Sequence, residues 1–163
     1  MTQENLMIKK DRMRYTNDSF SSTLVLLSIV FDCLYFVNIY QSDVGSYYYT
    51  WVIGASIIYN LVFLLAAFLA SESVKHRKSG YSLMLGFLGI MQVVRVFYLP
   101  AKAHAAVVMV NGVEVPVMDD KQYLYVVACL LISAVCCIVP AFTSYRNNKI
   151  LADYMRSIEN KTA

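Results

Sequence analysis

Four stretches of this chain are apolar for long enough to cross a lipid bilayer, and that constrains the fold more than any other feature. They are residues 21–41, 50–70, 81–100 and 122–145. About 20 residues rising 1.5 Å each cover roughly 30 Å of hydrocarbon, so each run can cross once as a helix. Backbone polar groups in lipid must bond within their own segment, which a helix achieves. Only 15% of the 163 residues are charged, against about 25% in a soluble domain. The expected fold is an all-α membrane protein, a four-transmembrane-helix bundle in which residues 1–163 form a single membrane domain. Little chain remains for a separate soluble catalytic domain.

The charges outside the runs give an orientation. Lys9, Lys10, Arg12 and Arg14 precede the first run; residues 41–49 hold no Lys or Arg; residues 71–80 hold Lys75, Arg77 and Lys78. Residues 101–121 carry only Lys102 and Lys121 against Glu114, Asp119 and Asp120, and the tail carries Arg146, Lys149, Arg156 and Lys161. Positive charge stays on the cytoplasmic side, so both termini are expected there. That removes Asn17 and Asn160 as glycan acceptors despite their Asn-x-Ser/Thr pattern. The first 20 residues are too polar and too mixed in charge for a signal peptide.

Two segments outside the spans have a pattern of their own. Residues 105–118, AAVVMVNGVEVPVM, read as a short extracytoplasmic β-hairpin. Asn111-Gly112 suits a type I′ turn between β-branched runs, and Pro116 should sit on an edge or end the second strand. After Arg146 the apolar residues Ile150, Leu151, Tyr154, Met155 and Ile158 fall on one helical face. Residues 146–163 are therefore expected to be a cytoplasmic, amphipathic C-terminal helix, lying on the inner leaflet or docked on a partner. Tyr47, Tyr48, Tyr49 and Trp51, with Tyr98, Tyr123 and Tyr125, form an expected aromatic belt at the outer interface. Their simplest role is anchoring; a partner-docking surface is the alternative. Ala66 with Ala70, Ala67 with Ser71, and Ser82 with Gly86 and Gly89, would let helices approach closely. Pro140 should kink the fourth span.

The chemistry lies in the polar groups within the runs. In residues 24–40, LVLLSIVFDCLYFVNIY, the one charged residue is Asp32. A carboxylate at that depth costs roughly 2.5–3.5 kcal/mol on insertion scales, so it should face protein or water. Arg95 is the only other charge inside an apolar run, with Gln92 one turn before it on the same face. Asp32, Asn38, Asn60, Gln92 and Arg95 are expected to form one buried polar cluster in the outer half of the bundle. Its simplest role is a structural ion pair or a polar contact to a partner's helix. The sharper alternative is a proton- or ion-coupled path, although an acid held by arginine titrates poorly near neutral pH.

Other classes find no support. The net charge of +3 comes with no basic stripe, so nucleic acid is not an expected partner. Cys33, Cys129, Cys136 and Cys137 lie inside the spans without a CxxC or zinc spacing. His76 and His104 fall on opposite sides of the membrane and cannot share a metal. No phosphate loop, nucleophile elbow or HExxH occurs. Neither enzyme activity nor a cofactor or metal is expected; the expected partners are lipid and integral membrane proteins.

Two resemblances bear on function. Four spans with an acid in the first are similar to the small multidrug resistance exporters. This chain departs from them in having Asp, a fixed charge bias and longer tails. IVFDCLYFVNIYQSDVGSYYYTWVIGASIIYNLVFLLAAFLASE, followed by GIMQVVRVFYLPAKAHA, resembles small four-span membrane proteins of Gram-positive bacteria that accompany carbohydrate ABC importers. The likeness runs to about residue 105; the outer hairpin and the tail match poorly. It implies a plasma-membrane location and the importer's permease subunits as partners, and carries over no catalytic residues. The expected function is thus a non-catalytic accessory or scaffold subunit of a carbohydrate ABC importer. The alternative is a small proton-coupled exporter using Asp32.

The charge alternation is testable directly. A cysteine introduced near Asn111, with the native cysteines replaced, should react with an impermeant maleimide from outside intact cells. Labelling only after the cytoplasmic face is opened would reverse the orientation.

Overall fold

A computed structural model of the chain describes residues 3–40, 50–78, 80–110 and 113–162. The elements in order are α1 (Gln3–Tyr15), α2 (Ser19–Tyr40), α3 (Thr50–Lys75), α4 (Tyr81–Tyr98), α5 (Pro100–Ala105), β1 (Val107–Val110), β2 (Val113–Pro116) and α6 (Asp120–Thr162). Four helices are long and apolar enough to cross a membrane. α6 packs most extensively on α4 and α2, α2 also packs on α3, and α3 touches α4 more lightly. The four therefore close into a ring in the order α2–α3–α4–α6.

The polarity of the bundle runs inside out. α2 buries Ser21, Ser22, Val25, Ser28, Asp32, Tyr35 and Ile39, a stripe with helical three- and four-residue spacing. Its other face exposes Leu26, Leu27, Val30, Leu34 and Val37. α4 likewise buries Ser82, Gln92 and Arg95 while exposing Leu83, Phe87, Ile90, Val94 and Phe97. In water this would waste apolar surface at about 25 cal/mol per Å². In hydrocarbon it is the stable arrangement, because polar groups then find partners only inside.

Two apolar clusters fill the ring. One, at the strand end, contains Tyr35, Ile39, Val96, Leu99, Val126 and Leu130, capped by buried Val117 and Met118. The other, at the opposite end, contains Val25, Phe63, Ala67, Ala70, Val74, Leu85, Leu88 and Cys137. Small residues allow close approach inside the bundle: Ala67, Ala70, Ser71 and Ser82 are buried within it. Ser71 Oγ lies 2.9 Å from Ser22 Oγ, tying α3 to α2. α4 packs tightly on α6 at Gly89, where a Cβ would stand 2.5 Å from Ile138 Cγ1 and 3.1 Å from the Ala134 carbonyl oxygen.

The helix ends are stitched together. Asp18 caps α2 by accepting the Ser21 amide at 3.2 Å, while its own amide donates to the Lys75 carbonyl at 3.0 Å. α3 ends in a Schellman motif: the Arg77 amide donates to the Val74 carbonyl and the Lys78 amide to the Ser73 carbonyl. Arg77 occupies its left-handed position at φ 54°, where glycine is usual. Arg77 Nε also donates to the Thr16 carbonyl at 3.1 Å, which fastens the turn to the chain ahead of α2.

Several expectations are corrected. Residues 3–15 form a helix, α1, rather than a polar tail, and it packs on α6. The second span continues past residue 70 to Lys75. The fourth span and the tail are one helix of 43 residues that passes through Pro140. Residues 146–162 are thus an extension of the span and not a separate helix. Ile150, Leu151, Tyr154 and Ile158 are half-buried and Met155 is exposed.

At the strand end, β1 and β2 pair antiparallel, with Val107 opposite Pro116, so the proline ends its strand. Val107, Met109, Val113 and Val115 stay exposed. Asn111 and Gly112, and Tyr47, Tyr48 and Tyr49, lie outside the described residues. Trp51 lies in the first turn of α3. Tyr98 and Tyr125 are exposed and Tyr123 is half-buried.

Gly89→Ala should destabilise the protein by about 1–3 kcal/mol, because Ile138 or the helix backbone must move. Gly54→Ala, with nothing within 4 Å of the added carbon, should instead stabilise by about 0.5–1 kcal/mol. Thermal unfolding in detergent measures both, and equal effects would mean α4 and α6 do not meet at Gly89.

Candidate functional site

The buried stripes of α2 and α4 bring their charges together. Arg95 Nη1 donates to Asp32 Oδ1 at 2.8 Å. Gln92 Nε2 donates to the same oxygen at 2.9 Å and to Ser133 Oγ at 3.2 Å. Its carbonyl Oε1 accepts from Arg95 Nη1 at 2.9 Å. Gln92 and Arg95 can share this work because three residues along a helix return to one face.

The other two spans complete the network. Arg95 Nη2 donates to Asn60 Oδ1 on α3 at 2.7 Å, and Asn60 Nδ2 donates to the Ser56 carbonyl at 2.9 Å. On α6, Ser133 Oγ donates to the Ser28 carbonyl at 3.1 Å, and Ser28 Oγ stands 3.0 Å from Ser133 Oγ and from Cys137 Sγ. A chain of polar contacts thus runs Asn60–Arg95–Asp32–Gln92–Ser133–Ser28–Cys137 and touches all four spans.

Aromatic faces close over the cation. The Arg95 guanidinium carbon lies 4.5 Å from the ring centroids of both Tyr35 and Tyr59. Each such contact stabilises a desolvated guanidinium by up to about 2 kcal/mol. Asp32 is 1% exposed and Arg95 8%. Asp32 Oδ2 accepts no hydrogen bond from the described residues. A 310 Å³ cavity lies beside Arg95 between α3 and α4, lined by Tyr35, Ser56, Tyr59, Met91 and Tyr98. A second, of 200 Å³, lies between α2 and α3 with Asp32, Cys33 and Asn60 on its wall.

Of the five residues expected to cluster, the structure joins four: Asp32, Asn60, Gln92 and Arg95. Asn38 does not join. It is half-buried, and its amide donates to the Leu34 carbonyl at 2.9 Å, one turn back on its own helix. It lies six residues beyond Asp32, which turns it off the buried stripe. Sequence reading missed Ser28, Ser133, Tyr35 and Tyr59. Ser28 and Tyr35 sit one turn either side of Asp32, and that spacing could have found them.

The four cysteines are free thiols. His76 and His104 are exposed; His104 Nε2 lies 2.9 Å from Asp120 Oδ1 and its ring packs on Tyr123. Among the described residues no three His, Cys, Asp or Glu side chains come together to hold a metal. The arrangement neutralises a charge pair and fixes four helices in register. No protein-family model, curated protein or solved structure matches the chain.

Removing one partner leaves a buried charge unpaired, which costs about 3–5 kcal/mol, whereas removing both leaves none. Asp32→Ala or Arg95→Ala alone should therefore lower the unfolding midpoint in detergent more than the double change does. Strictly additive losses across the cycle would show that the two charges do not interact.

Proposed function

We propose that the protein is a non-catalytic accessory or scaffold subunit of a larger assembly in the plasma membrane, with both termini cytoplasmic. The observation that carries this reading is the state of Asp32: 1% exposed, and held by Arg95 and Gln92 through one oxygen. A carrier must release and rebind its ion, and a carboxylate whose charge is already neutralised by a bonded arginine has little left to offer a second cation. The bundle's polarity is spent inside it, so what it offers a neighbour is apolar side chains and its two ends.

Those ends support docking. α6, at about 64 Å for 43 residues, is roughly twice the hydrocarbon thickness and projects well beyond it. At the other end the β1–β2 pair exposes Val107 and Met109 on one face and Val113 and Val115 on the other, and its edges are where a further strand could add. The resemblance to proteins that accompany carbohydrate ABC importers names the partner we favour, the importer's permease subunits. A second reading, a small proton-coupled exporter, is favoured by one observation only. Asp32 Oδ2 is unpaired among the described residues, and Asp32 borders the 200 Å³ cavity.

Reconstitution separates the two. Purified alone in liposomes, the protein should pass neither protons nor sugars, and in gentle detergent from its own host it should co-purify with permease subunits. Proton-coupled flux abolished by Asp32→Asn would refute the accessory reading and establish the exporter.

A further inference from the structure

At the end of the bundle opposite the strands, two cavities meet between α4 and α6. The first, of 360 Å³, is polar: Gly80, Ser82, Asn148, Lys149, Asp153 and Arg156 are on its wall. The second, of 330 Å³, is apolar and runs along the spans, walled by Leu83, Ile138, Ala141 and Phe142. Ser82 and Tyr145 belong to both, so the two form one groove with a polar head and an apolar body. The groove begins beside Gly89, since Ile138 on its wall is the residue that a Cβ at Gly89 would meet.

The head is built for an anion. Lys149 and Arg156 form no ion pair among the described residues, and the single acid present, Asp153, leaves an excess of one positive charge. Both polar atoms of the Asn148 amide are shielded from solvent and have no hydrogen-bond partner among the described residues. An unpaired buried amide donor costs about 1–3 kcal/mol, and a ligand oxygen would accept from Asn148 Nδ2. α4 starts at Tyr81 with no side-chain cap; the Leu83 and Met84 amides donate to the Gly80 carbonyl, and the positive end of the helix that remains at Tyr81 and Ser82 favours negative charge. The body is flanked by Leu83 and Phe142, which lie on two of the apolar helices and are 76% and 70% exposed.

We propose that this groove binds an anionic phospholipid of the leaflet on that side. Its phosphate lies among Lys149, Arg156, Ser82 and Asn148, and one acyl chain lies along Leu83, Ile138 and Phe142. The occupant follows from the order of the two parts: the charged pocket lies at the end of the spans and the apolar one within them, as headgroup and chain are stacked in a bilayer. A soluble phosphate compound would use only the head.

Native mass spectrometry of the full chain in neutral maltoside micelles, doped with equal dioleoyl phosphatidylglycerol and dioleoyl phosphatidylcholine, tests this. The wild type should retain the anionic lipid preferentially. Lys149→Gln and Arg156→Gln should each reduce that preference about fivefold, and Asp153→Asn should increase it. Lys102→Gln with Lys121→Gln removes charge from the opposite end and should leave it unchanged. Equal retention of the two lipids, or an equal loss in the Lys102/Lys121 variant, would overturn the site. Displacement of the lipid by millimolar inorganic phosphate alone would overturn the lipid as its occupant.

Discussion

The contact between Asp32 and Arg95 is the one on which the remaining structure depends. Each charge alone would be expelled from the middle of an apolar bundle, since an isolated ion there costs several kcal/mol after relaxation. Paired at 2.8 Å, and further bonded to Gln92 and Asn60, they can stay. The cluster then separates the two apolar cores, one toward the strands and one toward the end of α3. Apolar packing between helices tolerates sliding and rotation, whereas a hydrogen bond at 2.7–2.9 Å tolerates neither. The polar layer therefore sets the register of four helices whose outer surfaces carry no orientation signal.

Lipid makes this division of labour possible. Among apolar tails there is no hydrophobic force driving helices together, so association rests on packing and on interhelical hydrogen bonds. The bundle uses both on the same helix pair. At Gly89 the α4 backbone meets α6 directly, and one turn on Gln92 reaches Ser133 of α6. Close approach brings the hydrogen-bonding groups into range, and the hydrogen bonds hold the approach in register.

Spans were legible in the sequence because length and hydropathy alone define them, and Asp32 and Arg95 were legible because a charge stands out in an apolar run. Rotation about each helix axis was not. Leu, Val, Phe and Ile surround the helices on every side, so hydrophobic periodicity says little about which face is inside. That is why Asn38 was grouped with Asp32 although it points elsewhere, and why Ser28 and Ser133 passed as ordinary small residues. The small-residue pairs were legible as places of close approach, and Ala67, Ala70 and Ser71 receive helices of their own bundle. The fusion of the tail into α6 was hidden by the change of composition at Arg146, where the apolar run ends, and Pro140 upstream of it does not end the helix either. Proline removes one amide donor, but its fixed φ near −65° is helical, and a helix gripped on both sides by α2 and α4 can absorb the loss.

The least supported span is α3. It touches α4 lightly, and cavities of 310 and 200 Å³ border it on its two sides. Near the turn it is held by Ser71 and by the Asp18–Lys75 link. Toward its other end the bond from Arg95 to Asn60 at 2.7 Å is its main tie to the rest of the bundle. That bond is charge-assisted, about twice as strong as a neutral one, and it comes from the same guanidinium that holds Asp32. The position of α3 is thereby coupled to the ion pair between α2 and α4. Any neighbour that shifted α3 would have to break the Asn60 contact, and any loss of Asp32 would leave Arg95 free to move away from Asn60. A single arginine thus positions three of the four spans, which explains why a bundle with so uniform an exterior still has one arrangement inside.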